Sequence, residues 1–254
     1  PEAAASLKKL GLPADIGELA LLPGGLVIMA GPTGSGKSTT LAALAQHALE
    51  HRPVMMVTLE DPIEYEINAK GKGGLVRQRE IGRHARDYTT GLRDALREDP
   101  DIIVIGEMRD TETIELALTA AETGHLVLTH LHARSASSAI ERIIDACPHE
   151  RQSQIRLQLA DSLQAVISQR LLPRSVGRGR LVAMEVLRVN RAVSSMIREG
   201  RTAQIPSAMQ SGASDGMLTM ERCLATLVQT GQLDAASARA IAYDQKVLAE
   251  YMGR

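Results

Sequence analysis

The stretch Leu26-Val-Ile-Met-Ala-Gly31-Pro-Thr-Gly-Ser-Gly-Lys-Ser-Thr39 decides the fold that this sequence predicts. Residues 31–39 match the pattern G-x-x-x-x-G-K-S of a phosphate-binding loop. Such a loop works only between the end of a strand and the start of a helix. Residues 26–29 are apolar and predict a buried strand, and the spacing of apolar residues predicts a helix over 38–50. This framing favours a nucleotide site over the alternative, a glycine-rich turn that binds no nucleotide.

Each residue type in the loop suits the binding of a polyanion. Glycine adopts backbone angles that are closed to other residues, so consecutive amide groups can turn inward around phosphates at a helix N-terminus. Lys37 supplies a point charge that can reach the β and γ phosphates, and the hydroxyl of Ser38 is placed to bind Mg²⁺. The candidate nucleotide-binding residues of the loop are Gly31, Pro32, Thr33, Gly34, Ser35, Gly36, Lys37, Ser38 and Thr39.

Strand and helix patterns alternate after the loop. Apolar runs at 54–59, 102–105 and 126–131 predict further strands, and helical patterns cover 88–97 and 113–122. Strands that alternate with helices indicate an α/β fold with a mainly parallel sheet, in which ligands bind at the carboxyl ends of the strands. The polar residues that follow each apolar run are therefore the candidates for a functional site.

Two acidic clusters follow consecutive predicted strands. Glu60-Asp-Pro-Ile-Glu64 comes after the second strand, and a carboxylate at this point is placed to orient a water molecule. Gly106-Glu107 follows the third strand, where Glu107 is placed to support Mg²⁺ directly or through water. Either cluster alone would more often be a solvated strand end. Two of them beside a phosphate loop favour a catalytic role.

The fourth predicted strand ends in Thr129-His130-Leu-His132. The side chains of His130 and His132 would share one face of a strand, a spacing compatible with a metal. No cysteine or carboxylate lies beside them at ligand spacing, so a metal site is the less favoured interpretation. The alternatives are a structural histidine and a histidine that detects the γ-phosphate through a hydrogen bond.

The composition argues against several classes of protein. The formal net charge is −1 with dispersed lysine and arginine, and Phe and Trp are absent, so the sequence predicts no binding to nucleic acid. No apolar run is long enough for direct insertion into a membrane, and no signal peptide is visible. Cys147 and Cys223 lack the paired spacing of a zinc site and favour free thiols. These features predict an intracellular protein.

The pattern turns helical from about residue 150. Helices are predicted at 152–172, 191–199, 217–230 and 234–251, with a strand-like run at 181–187. The helical part either passes nucleotide-driven movement to a partner or forms a lid that only completes the core.

The order of the motifs resembles that of the secretion ATPase superfamily, and most closely that of its ATPases for type IV pilus retraction. The family's aspartate box falls on residues 57–65, its Walker B motif on 101–110 and its histidine box on 119–132. The likeness continues through Arg142-Ile-Ile-Asp145 and Ser162-Leu-Gln-Ala-Val-Ile-Ser-Gln-Arg-Leu171, and it covers nearly the whole chain.

The resemblance implies a RecA-like phosphate-loop NTPase core with a mainly parallel sheet, followed by a C-terminal helical subdomain. The expected division is an N-terminal linker region (1–25), the ATPase core (26–150) and a C-terminal helical portion (151–254) that completes the ATPase domain. The expected cofactors are ATP and Mg²⁺.

The resemblance also implies roles for single residues. Glu64 would activate the attacking water, and Glu107 would hold the hydration shell of Mg²⁺. His125 and His132 would be the histidine-box pair, with His125 among the nucleotide-binding residues. A guanidinium would neutralise charge on the transferring phosphate, either from the same chain or across a subunit interface, although each candidate could equally form only a surface salt bridge. The candidate arginines are Arg79, Arg93 and Arg97.

By the same resemblance, the protein would be a cytoplasmic homo-hexameric motor that powers pilus retraction and reaches the inner membrane through a pilus platform protein. Two alternatives are a pilus-extension or type II secretion ATPase and a nucleotide-binding accessory subunit with little activity of its own. The four-cysteine zinc module typical of extension and type II secretion relatives is absent from the sequence, which favours retraction.

The sequence departs from the family pattern in the histidine box and before residue 26. Thr129-His130 stands where the family usually has Gly or Ala followed by Thr. The N-terminal domain that the resemblance implies is not in the sequence, so we expect either a fragment or a shortened member of the family.

Overall fold

The computed structural model describes residues 1–69 and 73–253, and its centre is one seven-stranded sheet. Two further strands of two residues each, β1 (Glu2–Ala3) and β4 (Tyr65–Glu66), pair with each other outside the large sheet. In the chain, β1 precedes the strands of the large sheet, and β4 lies between the third and the fifth strand. The strands of the large sheet are β2 (Gly25–Ala30), β3 (Met55–Glu60), β5 (Leu75–Glu80), β6 (Ile102–Ile105), β7 (Leu126–Leu131), β8 (Leu163–Pro173) and β9 (Arg180–Arg188).

Helices connect the strands and complete the C-terminal part. The α-helices are α1 (Lys37–His51), α2 (Tyr88–Ala95), α3 (Thr111–Glu122), α4 (Ala136–Asp145), α5 (His149–Ser162), α6 (Arg191–Arg198), α7 (Ile205–Ser211), α8 (Met220–Gln229), α9 (Ala235–Ile241) and α10 (Gln245–Met252). Short three-ten helices occur at Ala14–Leu21, Leu96–Glu98, Thr202–Gln204 and Gly212–Asp215. In the described part of the chain, no helix combines the length and the apolar composition that a membrane crossing needs.

The strand order across the large sheet is β5-β3-β6-β7-β2-β8-β9. All neighbours are parallel except β8 and β9, which form an antiparallel hairpin with Ser168 opposite Glu185. Parallel strands need crossover connections, and helices supply the connections from β2 to β3, from β5 to β6, from β6 to β7 and from β7 to β8. The carboxyl ends of β2, β3, β6 and β7 therefore lie along one edge, where the polar residues after each strand meet.

Strand β2 shows how the two faces of the sheet are filled. Val27 and Met29 join a cluster with α1, whereas Leu26 and Ile28 face the opposite side and join a cluster with α3, α4 and α5. Successive side chains of a strand alternate between the faces, and both faces are covered, so the strand is apolar throughout instead of alternating. The phosphate loop thus starts from a fully buried strand.

The α/β class with a mainly parallel sheet is confirmed. The predicted helix over 38–50 corresponds to α1, and the predicted strand at 102–105 is β6. The helix predicted over 152–172 is wrong beyond Ser162, because β8 begins at Leu163 and inserts beside β2. The run Ala165-Val-Ile167 is apolar without alternation because both of its faces are buried.

Two further predictions of secondary structure need correction. The helix predicted over 234–251 is two helices, α9 and α10, separated at 242–244, where Asp244 caps the second helix through bonds from Lys246 N and Val247 N. Strand β5 was not predicted, because its sequence Leu75-Val-Arg-Gln-Arg-Glu80 is polar and lies at the edge of the sheet.

The expected division at residues 25 and 150 stays a prediction, but the structure adds to each segment. Ile16 and Leu19, within 1–25, are buried in the cluster with α1. The expectation that 151–254 is helical is wrong for β8 and β9, which join the central sheet. A third cluster joins the end of this hairpin to α8, α9 and α10. Arg254, at the end of the predicted division, lies outside the described residues.

Candidate active site at the phosphate loop

The phosphate loop lies between β2 and α1, as the sequence predicted. Gly36 at the start of α1 has a φ of 87°, and Gly31 has a φ of 151°. Residues with a Cβ rarely adopt such backbone angles. Space is a second constraint, because a Cβ at Gly31 would lie 2.4 Å from the Oγ of Ser35. These constraints explain why glycine stands at these positions.

Lys37 is buried at the first position of α1, with a relative exposure of 5%. Its Nζ donates a hydrogen bond of 2.9 Å to the carbonyl oxygen of Pro32. Burial lowers the pKa of Lys37 from its ordinary value of 10.5, and the charge of Glu107 opposes that change. The loop therefore holds a partly desolvated ammonium group against its own backbone, ready to exchange that carbonyl for a more negative oxygen.

The remaining residues of the loop point to different surroundings. Ser38 lines the cleft at the carboxyl edge of the sheet. Pro32 and Thr33 line a second, wider groove together with His132. The hydroxyl of Thr39 lies 2.8 Å from that of Tyr65, which ties α1 to the segment after β3. Both surroundings adjoin the loop.

The cleft brings together the carboxylates that the sequence singled out. Glu64 and Glu107 line it together with Ser38, although they follow different strands of the sheet. Glu60 lines the same cleft, but its Oε1 accepts bonds from Thr58 Oγ1 (2.5 Å) and Gln78 Nε2 (3.0 Å). Burial raises the pKa of Glu60. Glu64 is exposed, so it is better placed than Glu60 to act on water in the cleft.

Glu107 is surrounded by basic groups. Arg109 Nε donates a bond of 2.6 Å to its Oε2, and His132 Nε2 lies 3.7 Å from its Oε1. Burial opposes the charged form of Glu107, but the bond and charge of Arg109, with smaller contributions from the neighbouring imidazoles of His132 and His130, outweigh burial, so the pKa is lowered. Glu107 is therefore an ionised oxygen donor, the chemistry that Mg²⁺ prefers.

His130 and His132 lie at the carboxyl end of β7. Burial and the charge of Lys37 lower the pKa of both, that of His130 to about 4. Within residues 1–69 and 73–253, the Nδ1 of His130 is buried without a hydrogen-bond partner. A neutral imidazole with an unused nitrogen thus lines the cleft beside Lys37 and Glu107, and the ring of His132 meets it edge to face at 6.2 Å.

The three candidate arginines lie apart from the cleft. Arg79, on the edge strand β5, is ion-paired with Glu98, and Arg93 is ion-paired with Glu112. Arg97 is exposed in the three-ten helix Leu96–Glu98. None of the three lines the cleft, so the structure does not bring them to the phosphate loop of their own chain.

His125 is not part of the loop site of its own chain. It precedes β7, and its carbonyl oxygen accepts a bond from Gly25 N at the amino end of β2. Its Nδ1 lies 3.0 Å from the carbonyl oxygen of Ala120. The phosphate loop starts at the other end of β2, so the structure does not bring His125 to the loop of its own chain, and its role in nucleotide binding stays a prediction. The motif does not reveal that it spans the whole strand and places its two histidines at opposite edges.

One residue at the loop was missed from the sequence. Gln169 is 1% exposed on β8, and its side chain contacts both Ser35 and Thr40. The sequence signal was a glutamine at the end of an apolar run, but this segment was assigned to a helix. Strand β8 follows the loop by more than 120 residues, so only the sheet order shows the contact.

The cleft and the loop fit a nucleoside triphosphate with Mg²⁺. The Oγ of Ser35 is buried without a hydrogen-bond partner among the residues that the structure describes. The loop offers a lysine ammonium and the N-terminus of α1 to an anion, and the cleft offers the hydroxyl of Ser38 and the carboxylate of Glu107 to a hard cation.

Comparison with known proteins agrees with this arrangement. The sequence profile of the family described as "Type II/IV secretion system protein" matches residues 4–203. A twitching motility protein of Neisseria gonorrhoeae is 46% identical over 94% of this chain and 63% of its own length. The type IV pilus retraction ATPase PilT of Pseudomonas aeruginosa is 46% identical over 94% of this chain and 69% of its own. A crystal structure of the pilus retraction motor PilT with bound ADP superposes with a TM-score of 0.90 at 43% identity, covering 98% of this chain and 70% of that one.

The chain spans 63% and 69% of the lengths of the two relatives, so the match concerns the part of those proteins that holds the phosphate loop. The family match covers both the loop and the acidic residues of the cleft. By sequence and by fold, the chain belongs to the family of type II/IV secretion system proteins.

Proposed function

We propose that the protein binds ATP with Mg²⁺ and hydrolyses it. The observation that carries this proposal is that Ser38, Glu64 and Glu107 line one cleft, directly beside the buried ammonium of Lys37. Three chain segments, the loop, the residues after β3 and the residues after β6, supply these groups. A structural ion cluster would not need the glycine-rich loop that precedes it.

The residues divide the work of phosphoryl transfer. Lys37 and the amide groups of the loop bind the phosphates and neutralise their charge. Glu64 accepts a proton from the attacking water or orients it, and its exposure keeps it within reach of solvent. Ser38 and Glu107 would hold Mg²⁺, which supplies charge neutralisation on the phosphate oxygens. The neutral His130 offers a hydrogen bond without adding positive charge.

An arginine from a second subunit completes the site in this proposal. Arg109 lines the cleft, but it is bonded to Glu107, and the candidate arginines 79, 93 and 97 do not line the cleft. Their placement favours action on a neighbouring copy. The secretion ATPase resemblance supports a homo-hexamer, in which each interface would present one surface to the phosphate site of the next subunit.

The work that this hydrolysis powers is pilus retraction. Support comes from the relatives named for twitching motility and for pilus retraction, each 46% identical, whereas a type II secretion protein E of Klebsiella pneumoniae matches 60% of the chain at 44% identity. The motor would be cytoplasmic and would act on the inner membrane only through a platform protein of the pilus machine.

A single chromosomal substitution tests the direction of the motor. Cells that carry Lys37→Ala in the gene for this chain should keep surface pili but lose twitching, because extension continues while retraction stops. The matched control is Lys246→Ala on the exposed surface of α10. Loss of the pili themselves would contradict retraction and indicate a motor for extension.

A further inference from the structure

We propose that Gln169 is a positioning residue of the nucleotide site, which holds the phosphate loop in its binding conformation before the nucleotide arrives. This inference rests on the proposed function. Gln169 belongs to none of the motifs of the loop or of the cleft, and it comes from β8, on the far side of β2 from the strands that carry the carboxylates.

The side chain of Gln169 bridges the phosphate loop and the first turn of α1. Its Nε2 donates a bond of 2.7 Å to the carbonyl oxygen of Ser35. Its Oε1 accepts a bond of 2.9 Å from the Oγ1 of Thr40, in the first turn of α1. A carbonyl oxygen can only accept, so the amide orientation is fixed by chemistry as well as by position.

The bond to Ser35 orients the peptide group that the nucleotide needs. In a trans peptide, the carbonyl of Ser35 and the amide N–H of Gly36 point in opposite directions. A donor that holds the carbonyl outward therefore aims the N–H of Gly36 inward, where it can meet a phosphate. Gln169 thus acts on the nucleotide through the backbone of the loop and without touching it.

The loop is also shaped around this residue. A Cβ at Gly31 would lie 2.6 Å from the carbonyl oxygen of Gln169, and a Cβ at Gly36 would lie 2.8 Å from its Nε2. The contact at Gly31 is with the backbone of β8, whereas the contact at Gly36 is with the glutamine side chain itself. The absence of side chains at both glycines serves the contact with β8 as well as the contact with phosphates.

Burial of this amide needs an explanation that packing alone does not supply. The preceding residues Ala165, Val166 and Ile167 are apolar and fully buried, and an apolar side chain at position 169 would extend the same core. Burying an amide costs free energy unless it is hydrogen-bonded, and both of its bonds go to the phosphate loop and to the helix that starts from it. We infer that the residue serves the preorganisation of the loop.

The test compares variants in the binding of fluorescently labelled ADP and in the kinetics of ATP hydrolysis. Gln169→Leu removes both bonds, and Thr40→Val removes one while keeping the shape of the side chain. Gln164→Leu is the matched control, since Gln164 lies on the same strand but beside Gly25 at the opposite edge of the sheet. Amide hydrogen exchange of residues 31–37, without nucleotide, reports the order of the loop directly.

The dissociation constant and KM should rise about tenfold in Gln169→Leu and about threefold in Thr40→Val, with kcat changed less than KM. The double variant should bind no more weakly than Gln169→Leu, because both substitutions act on one bridge. Exchange at 31–37 should accelerate in Gln169→Leu and stay unchanged in Gln164→Leu. If Gln169→Leu does not fold, Thr40→Val decides alone.

If the wild-type protein binds nucleotide, and all variants show the same nucleotide affinity and the same hydrogen exchange as the wild type, the proposed role of Gln169 is overturned. A wild-type protein that bound neither ADP nor ATP would overturn the proposed function, and the role of Gln169 with it. A uniform loss of thermal stability in Gln169→Leu and Gln164→Leu, with no difference in nucleotide affinity, would also overturn the inference.

Discussion

The Nζ of Lys37 donates a hydrogen bond of 2.9 Å to the carbonyl oxygen of Pro32, and both residues belong to the phosphate loop. Lys37 has a relative exposure of 5%, and this burial lowers the pKa of its ammonium group. A phosphate oxygen offers it a charged partner in place of a neutral one. The bond to Pro32 thus keeps the ammonium group at the loop, where the proposed function requires it.

Lys37→Ala should weaken the binding of ATP by at least about tenfold, because it removes a charge-assisted bond to the phosphates. The thermal midpoint without nucleotide should change little, since the carbonyl of Pro32 loses only one partner near solvent. Isothermal titration and a thermal scan check the two parts, with Lys246→Ala as control. Unchanged affinity would mean that Lys37 does not face the nucleotide.

Glu64→Gln should leave nucleotide affinity nearly intact and lower turnover by roughly a hundredfold or more, as expected for the loss of a general base. Single-turnover hydrolysis and equilibrium binding separate the two quantities. The matched control is Glu66→Gln, which changes an exposed carboxylate on β4, two residues after Glu64 in the chain. An equal loss of binding and turnover would contradict the assigned role of Glu64.

His130→Thr, which restores the residue usual in the family, should change turnover by about threefold or more. The thermal midpoint should move by less than about 4 °C. The reason is that His130 lines the cleft beside Lys37 with an unused nitrogen. His149→Thr, on the exposed start of α5, is the control. If turnover stayed the same, His130 would be a neutral variation.

The pH dependence of stability should report Glu185, which accepts a bond of 2.7 Å from Ala136 N at the start of α4. Burial, with a further contribution from the charge of Glu221, raises the pKa of Glu185 from 4.5 to about 7. Between these values the folded protein keeps a proton that the unfolded chain releases, so the free energy of unfolding falls as the pH rises through this window.

Glu185→Gln should remove that slope, because glutamine can accept the same bond and does not titrate. The variant should gain roughly 1–3 kcal/mol in free energy of unfolding relative to the wild type between pH 5 and pH 8. Urea unfolding at both pH values measures the change, with the exposed Glu250→Gln as control. Parallel pH profiles for wild type and Glu185→Gln would show that Glu185 does not carry this dependence.

The sequence predicted the parts of the site that depend on local order. A glycine-rich loop between an apolar run and a helical pattern is a local feature, and Ser38 and Lys37 follow from it. Glu64 and Glu107 could also be placed, because residues after neighbouring parallel strands meet at one edge. These predictions required only that the strands run parallel, and they did not require knowledge of which strands are neighbours in the sheet.

The remaining features depend on contacts that are distant in the sequence. Leu163–Pro173 contains the short apolar run Ala165-Val-Ile167, which periodicity cannot assign to a strand or a helix, and its insertion beside β2 makes the segment a strand. Gln169 could not be placed without that insertion. The sequence also did not show that His125 lies at the opposite edge of the sheet from the loop, because a strand separates it from His132 and the motif does not show where the strand begins.

The most direct test of the central claim is the rate of ATP hydrolysis per subunit as a function of protein concentration, with Lys37→Ala as the blank. A site that needs an arginine from a neighbouring subunit predicts a rate per subunit that climbs steeply and then saturates as the oligomer forms. A rate per subunit that is constant across the whole range, from monomer to oligomer, would contradict the motor with shared sites.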